Sequence, residues 1–420
     1  MNPLTPPFRG TTTGTSGTAT QPRATRRPRS WFAAAAVTAA AALTFGVVLP
    51  AAATVASGRP AAAASAATAP AVPKYYVALD NPENAKSPDK VVVGDTLTGK
   101  RLATVSPPKG VTFGGVTGAA DDRTFILDGR QFPWSNTWFA VTPRTWYLLK
   151  IAPGTAHPAK LTKLRIPATP NWAQVDGMAL SPDGSELAVM FTPQAWGPTP
   201  GPTTLRIYSV VTGKVLHTWV GPKPSPSALG DYTFGQYLYL DDNATLSWTA
   251  GGRLAFVYGQ SLINDTTVRA LNPTGPGHGL LADSRVILDL KSGGVPDCGS
   301  LLLAPGGQTI ACGATLPFSR NSTGGCSAAT GLAKPGIDEY SAATGKLNRV
   351  LYRYTGACLD GRAAVLWVSG SGGATVLGDL GIATQLRTGT HQIGIFTGGT
   401  FKPLPIRTAS GAPSAATIAF

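Results

Sequence analysis

The chain has 420 residues and a formal net charge of +14, and its 50 Gly and 36 Pro make up about a fifth of it against only 13% charged residues. So many chain breakers with so few charges argue against a helical bundle and suit many short strands joined by turns. Arg9, Arg23, Arg26, Arg27, Arg29 and Arg59 all precede Lys74 with no acid among them, which leaves 29 basic and 21 acidic residues spread thinly over the remainder. That remainder has no dense basic block and no basic-aromatic strand, so no nucleic-acid partner is expected.

In chain order, residues 1–30 are rich in Thr, Pro, Gly and Arg and hold almost nothing that can be buried, which predicts a disordered, basic cytoplasmic tail. Residues 31–56 form an uncharged, Ala-rich apolar run directly after the cluster RATRRPRS. A run of this length behind a positive flank reads as a single-pass anchor that leaves the rest of the chain outside the cytoplasm. The alternative is a secretory signal cut near Ala51-Ala52-Ala53, with the rest secreted. Residues 57–73 are an Ala/Pro/Ser spacer.

From Lys74 to Phe420, apolar segments of five to eight residues alternate with Gly-rich turns, and no window carries a helical stripe. The stretch MALSPDGSELAVMF (178–191) aligns with AADDRTFIL (119–127), TAGGRLAF (249–256), APGGQTIA (304–311) and GSGGATVL (370–377). Each runs an apolar strand into a turn of small or acidic residues centred on Asp122, Gly184, Gly252, Gly307 or Gly373 and out into a second strand. A second element recurs as VVVGDTLTGKRLATV (91–105), LRIYSVVTGKVLHTW (205–219) and DEYSAATGKLNRVLY (338–352), each a hairpin around Thr-Gly-Lys. Two hairpins per unit make a four-stranded sheet that cannot bury both faces alone, which predicts an all-β propeller.

These segments resemble known families. SPDG followed by the Thr-Gly-Lys hairpin is similar to WD-repeat and TolB-like blades, and Lys74–Val105 is similar to the YVTN-type blade of exported prokaryotic propellers, although the Trp-Asp dipeptide of WD repeats is absent. The resemblance implies a fold and nothing about a ligand. The units fall at 74–108 with 414–420, 109–167, 168–222, 236–292, 297–356 and 357–408. The C-terminal strand then closes six blades against Tyr75–Leu79, and seven blades result if 223–297 hides a degenerate one.

Cys298, Cys312, Cys326 and Cys358 are even in number and lie in an exported region, which predicts disulfides. Cys298–Cys312 with Cys326–Cys358 is the favoured pairing among three. Their spacing matches no close-paired zinc site, and no metal or cofactor is expected. Asp183 reads as a turn former, with Glu186 pointing to solvent on the emerging strand. His157, His217, His278 and His391 are isolated, Asp241-Asp242-Asn243 lacks the full spacing of a calcium loop, and no G-x-S-x-G elbow or phosphate loop occurs. Asn243, Asn264 and Asn321 head sequons. Phe132, Trp134, Trp138 and Phe139 crowd one inter-strand loop, and Trp196 occupies the equivalent loop one blade later. They read either as plugs between blades or as an aromatic contact surface.

The expected function is a non-enzymatic, monomeric scaffold outside the cytoplasm that binds a protein or cell-wall partner. The alternative is a propeller hydrolase or lactonase in which Asp176, Asp242, Asp297 and Asp360, near the starts of inner strands, converge on a central metal.

Overall fold

The computed structural model describes residues 72–80, 90–131, 143–169, 173–193, 202–222, 246–258, 267–275, 277, 279–289, 297–315, 335–355, 360–369, 375–383, 389–407 and 418–420. The tail, apolar run and most of the spacer lie outside these residues. Among the described residues there is no helix, and so none long and apolar enough to cross a membrane.

The strands form six four-stranded antiparallel sheets. Blade 1 contains β1 (Tyr75–Asp80), β2 (Lys90–Asp95) and β3 (Arg101–Val105). Blade 2 is β4 (Val111–Gly118), β5 (Thr124–Gln131), β6 (Thr145–Ile151) and β7 (Ala159–Lys163). Blade 3 is β8 (Ala173–Leu180), β9 (Glu186–Pro193), β10 (Thr204–Ser209) and β11 (Val215–Val220), and blade 4 is β12 (Leu246–Trp248), β13 (Leu254–Tyr258), β14 (Thr267–Leu271) and β15 (Ser284–Asp289). Blade 5 is β16 (Asp297–Leu303), β17 (Thr309–Thr315), β18 (Pro335–Ser341) and β19 (Leu347–Arg353). Blade 6 is β20 (Asp360–Val368), β21 (Thr375–Ala383), β22 (Gly389–Thr397) and β23 (Thr400–Pro403). The last strand, β24 (Ile418–Ala419), supplies the inner strand that blade 1 lacks, with Val77 opposite Ala419 and Ala78 opposite Ile418.

The inner strands touch in sequence, β4 with β8, β8 with β12, β12 with β16, β16 with β20, β20 with β24 and β24 with β4. The ring therefore closes with six blades. Because β8 meets β12 directly, the seventh blade considered between them has no place.

The core is a set of layers between blades. Strand residues alternate faces, so Leu127 packs with Tyr75, Val77 and Val93 toward blade 1, while its neighbour Ile126 packs with Leu187, Val189 and Phe191 toward blade 3. The first three strands of a blade are sandwiched in this way, which is why they read as continuous apolar runs instead of alternating ones, whereas outer strands such as β7 and β19 are mostly exposed. Neighbouring inner strands share no ladder, and hydroxyls join them instead. Leu180 N–H donates to Thr117 Oγ1 (3.3 Å), Leu303 N–H to Ser247 Oγ (2.9 Å) and Val365 N–H to Ser300 Oγ (2.7 Å).

Four of the five turns that served as the repeat's marker share one geometry, and the fifth, at Gly373, lies outside the described residues. Asp122, Gly184, Gly252 and Gly307 all have positive φ, at 49, 73, 75 and 69°. In each turn their N–H groups bond the carbonyl three residues back, at Ala119, Ser181, Thr249 and Ala304. Asp122 is the non-glycine member, and its Oδ2 accepts the Lys74 N–H at 2.6 Å, tying blade 1 to blade 2.

Candidate functional site

Up-and-down strands leave each propeller with two unlike ends. In blades 2 to 5, though not in blade 6, where the two are of similar length, the turns from inner to second strand span only 119–123, 181–185, 249–253 and 304–308, whereas the connections from second to third strand at the opposite end span 132–144, 194–203, 259–266 and 316–334. We call the latter the loop face. Binding residues tend to sit on long connections held by a rigid scaffold, so the loop face is the candidate functional surface.

Blade 2 builds the root of its loop-face connection around a buried charge. Asp128 on β5 is fully buried, and its carboxylate forms an ion pair with the Arg144 guanidinium just before β6. Arg130 Nε, two residues along β5, lies 3.6 Å from the same carboxylate. Gly114 N–H donates to Asp128 Oδ1 at 2.9 Å, and Arg144 N–H donates to Thr169 Oγ1 at 2.8 Å. Burial by itself would push the Asp128 carboxyl up, but the Arg144 and Arg130 guanidiniums, with the hydrogen bonds from Arg144 and from Gly114 N–H, hold it below the usual carboxylate range. Gly114 is required for this arrangement, since a Cβ there would stand 2.2 Å from Arg130 Nε. One carboxylate thus holds both ends of the connection that carries Phe132, Trp134, Trp138 and Phe139. Those four residues and Trp196 themselves lie outside the described residues.

The other buried carboxylates are also paired. On β18, Asp338 meets Arg353 (2.5 Å), and Glu339 meets Arg349 (2.8 Å). Both acids are almost completely buried, so they brace the third and fourth strands of blade 5 rather than face solvent.

Among the acids expected at the starts of inner strands, Asp297 and Asp360 are the first residues of β16 and β20. Asp176 is half-buried in β8, at a bulge between Val175 and Gly177. Equivalent bulges lie in β4 at Gly114, in β16 at Gly299 and in β20 at Leu366, so blade 3 alone among these four puts an ionisable residue there. Asp242 and the side chains of Asp297 and Asp360 lie outside the described residues. Among the described residues no three of His, Cys, Asp and Glu gather as a metal site.

Asp183 is a turn residue, as its spacing indicates. Its carboxylate accepts from Ser181 Oγ (2.6 Å), Ser185 N–H (3.0 Å) and Ser185 Oγ (2.8 Å), and the Ser181 hydrogen bond leads in lowering its pKa. Glu186 departs from the expected solvent-facing position. It is half-buried opposite Ser209, and burial followed by repulsion from Asp183 pushes its carboxyl up. His157 is exposed, and His217 stacks on Trp219 with ring centroids 5.5 Å apart. His278 and the His391 side chain lie outside the described residues.

Cys312 is fully buried on β17 and disulfide-bonded. The register sets it opposite Leu301 and sets Cys298 opposite Ala314, one diagonal step away. The side chains of Cys298, Cys326 and Cys358 lie outside the described residues.

No family model matches the chain, and no curated protein matches it. Solved structures do. Prolyl oligopeptidase B from Galerina marginata is 12% identical with a TM-score of 0.40, over 80% of this chain and 40% of that one. The β-propeller domain of the Trilobed protease from Pyrococcus furiosus is 9% identical with a TM-score of 0.35, over 71% of this chain and 72% of that one. An oligogalacturonate lyase in complex with manganese is 11% identical with a TM-score of 0.37, over 63% and 62%. The chain spans two fifths of the length of the oligopeptidase, and these likenesses concern the fold alone.

Proposed function

We propose that the protein is a non-enzymatic binding scaffold held outside the cytoplasm, which presents its loop face to a protein or cell-envelope partner through Phe132, Trp134, Trp138, Phe139 and Trp196. The observation that carries this reading is the Asp128 cluster, which fixes both ends of the aromatic-rich connection to a closed, rigid ring. Preorganised aromatic anchors lose little conformational entropy on binding and dominate interface energies. The apolar run at 31–56 and the disulfide at Cys312 support a location beyond the reducing cytoplasm. Cross-linking on intact cells from a photoreactive residue at position 136 should capture a discrete partner. Trp134→Ala combined with Trp138→Ala should lower that capture at least about 30-fold, the loss expected of a hot spot. Capture that is equal in the double variant, or no discrete partner under several cross-linking chemistries, would sink the reading.

A second reading has one observation in its favour. Asp297 and Asp360 open their inner strands at the loop-face end and Asp176 lies midway along β8, all on the strands that would line the central metal of a propeller hydrolase or lactonase. Calcium should then raise the melting temperature, and Asp176→Ala should abolish the rise. An unchanged melting temperature in calcium excludes this reading.

A further inference from the structure

A crevice of about 470 Å3 opens between blades 2 and 3. It runs along the outer part of blade 2, from Lys150 near the turn end of β6 to Arg165 just after β7, and meets Asp183 and Gly184 at the tip of the β8–β9 turn. The volume falls within the range of small-molecule sites.

The crevice is lined by Lys150, Lys163 and Arg165, with Leu148 and Val211 supplying apolar wall. None of the three cations enters an ion pair or a side-chain hydrogen bond among the described residues. Asp183 also lines it, but that carboxylate is engaged by Ser181 and Ser185. A further cation stands close by, since Lys150 and Lys160 are direct cross-strand partners. Like charges placed opposite each other destabilise a sheet, so the strands carry an uncompensated repulsion at this point. Val211 is 82% exposed, the most exposed large apolar side chain among the described residues.

We infer that this crevice binds an organic phosphate, with the phosphoryl group between Lys150 and Arg165 and the apolar body against Leu148 and Val211. A phosphate monoester suits the site better than a carboxylate because it carries more than one negative charge and three acceptor oxygens, enough for both cations at once. Arginine adds a fork that matches phosphate geometry. Such an anion would also relieve the Lys150–Lys160 repulsion, and its apolar portion would cover Val211. The site is independent of the loop-face reading, which uses the aromatic residues of the 132–144 and 194–203 connections, none of which lines the crevice. The same chemistry is offered by a lipid headgroup and by a free phosphate ester.

The test is calorimetric titration of the full-length protein, held in phosphatidylcholine nanodiscs, with hexyl phosphate, inorganic phosphate and hexanol. Hexyl phosphate should bind more tightly than either of the others and weaken as salt rises. Lys150→Gln and Arg165→Gln should each weaken it about tenfold, the loss of one charge-assisted contact, and neither should lower the melting temperature, because both residues are exposed. Competition by phosphatidic acid vesicles but not by phosphatidylcholine vesicles assigns the natural source to a lipid headgroup, and absence of competition assigns it to a free ester. Hexyl phosphate binding no tighter than hexanol, or binding unchanged in the Lys150→Gln/Arg165→Gln double variant, would overturn the inference. Since none of these readouts involves Trp134 or Trp138, failure here and failure of the loop-face reading can be told apart.

Discussion

Asp128 and Asp183 show how differently two acids of similar surroundings in sequence can behave. Asp183 was readable as a turn former because its partners, Ser181 and Ser185, lie two residues away on either side. Asp128 was not, because its partner Arg144 is brought to it by the pairing of β5 with β6, and the intervening residues give no local hint of that register. The only available signal was a charged pair, Asp128 and Arg130, inside a strand whose other residues are mostly apolar. The consequence is measurable. Asp128→Asn leaves the buried Arg144 guanidinium without a counter-charge, and breaking a buried pair from one side typically costs about 3–5 kcal/mol. Urea unfolding at pH 7 should show a loss of that size, and an effect near zero would mean that the pair is solvated. The pH dependence has a definite sign. Because the folded-state pKa of Asp128 lies below its ordinary value of about 4, its contribution is complete above that value and is lost as pH falls through the lowered pKa. Wild-type stability should therefore decline toward pH 3 more steeply than that of Asp128→Asn.

Hairpins were legible where the backbone itself demands a particular residue. The three Thr-Gly-Lys turns place Gly99, Gly213 and Gly345 at φ of 66, 73 and 67°, and each glycine N–H bonds the carbonyl four residues back, at Asp95, Ser209 and Ser341. A left-handed residue is sterically costly for anything but glycine, so the sequence has to declare the turn. Contact adds to the requirement at two of these positions, since a Cβ on Gly213 would lie 2.5 Å from the Arg165 carbonyl and one on Gly99 would lie 2.1 Å from that of Pro405. These two turns thus lock blade 3 against blade 2 and blade 1 against blade 6. By contrast, the bulges in β4, β8, β16 and β20 left no sequence mark, because a single extra residue between two paired positions can be Gly, Asp or Leu. Glu186 was misjudged for a related reason. Its position on an emerging strand suggested solvent, but pairing with β10 sets it opposite Ser209 and leaves it half-buried, and that register is not encoded by the residue types around it.

At the scale of the whole molecule, the ring's closure was the most informative expectation, because it came from counting strands and not from any motif. A first unit short of one strand and a last segment short of partners implied each other, and β24 pairs with β1 as that count required. The seal is more than two residue pairs. Ile418, Ala419 and Phe420 are all buried, with Ile418 and Phe420 packed among Tyr76, Val92, Leu377 and Ile393 from blades 1 and 6, and the Phe420 carbonyl sits so close to Gly118 of blade 2 that a Cβ there would lie 2.5 Å away. Three blades therefore depend on three residues. Removing residues 414–420 should strip this layer, leave β1 as an unpaired inner edge, and lower the melting temperature by more than the loss of one core side chain, which alone is worth about 2–5 kcal/mol. Ile418→Asp tests the same seal without shortening the chain, because it buries a carboxylate among apolar side chains with no cation at hand. If closure is the cause, adding a peptide of residues 414–420 to the shortened protein should restore part of the lost melting temperature, as a strand supplied from outside would refill the vacant edge. A shortened protein that melts as the full chain does would show that the ring is held by its other five inter-blade layers alone.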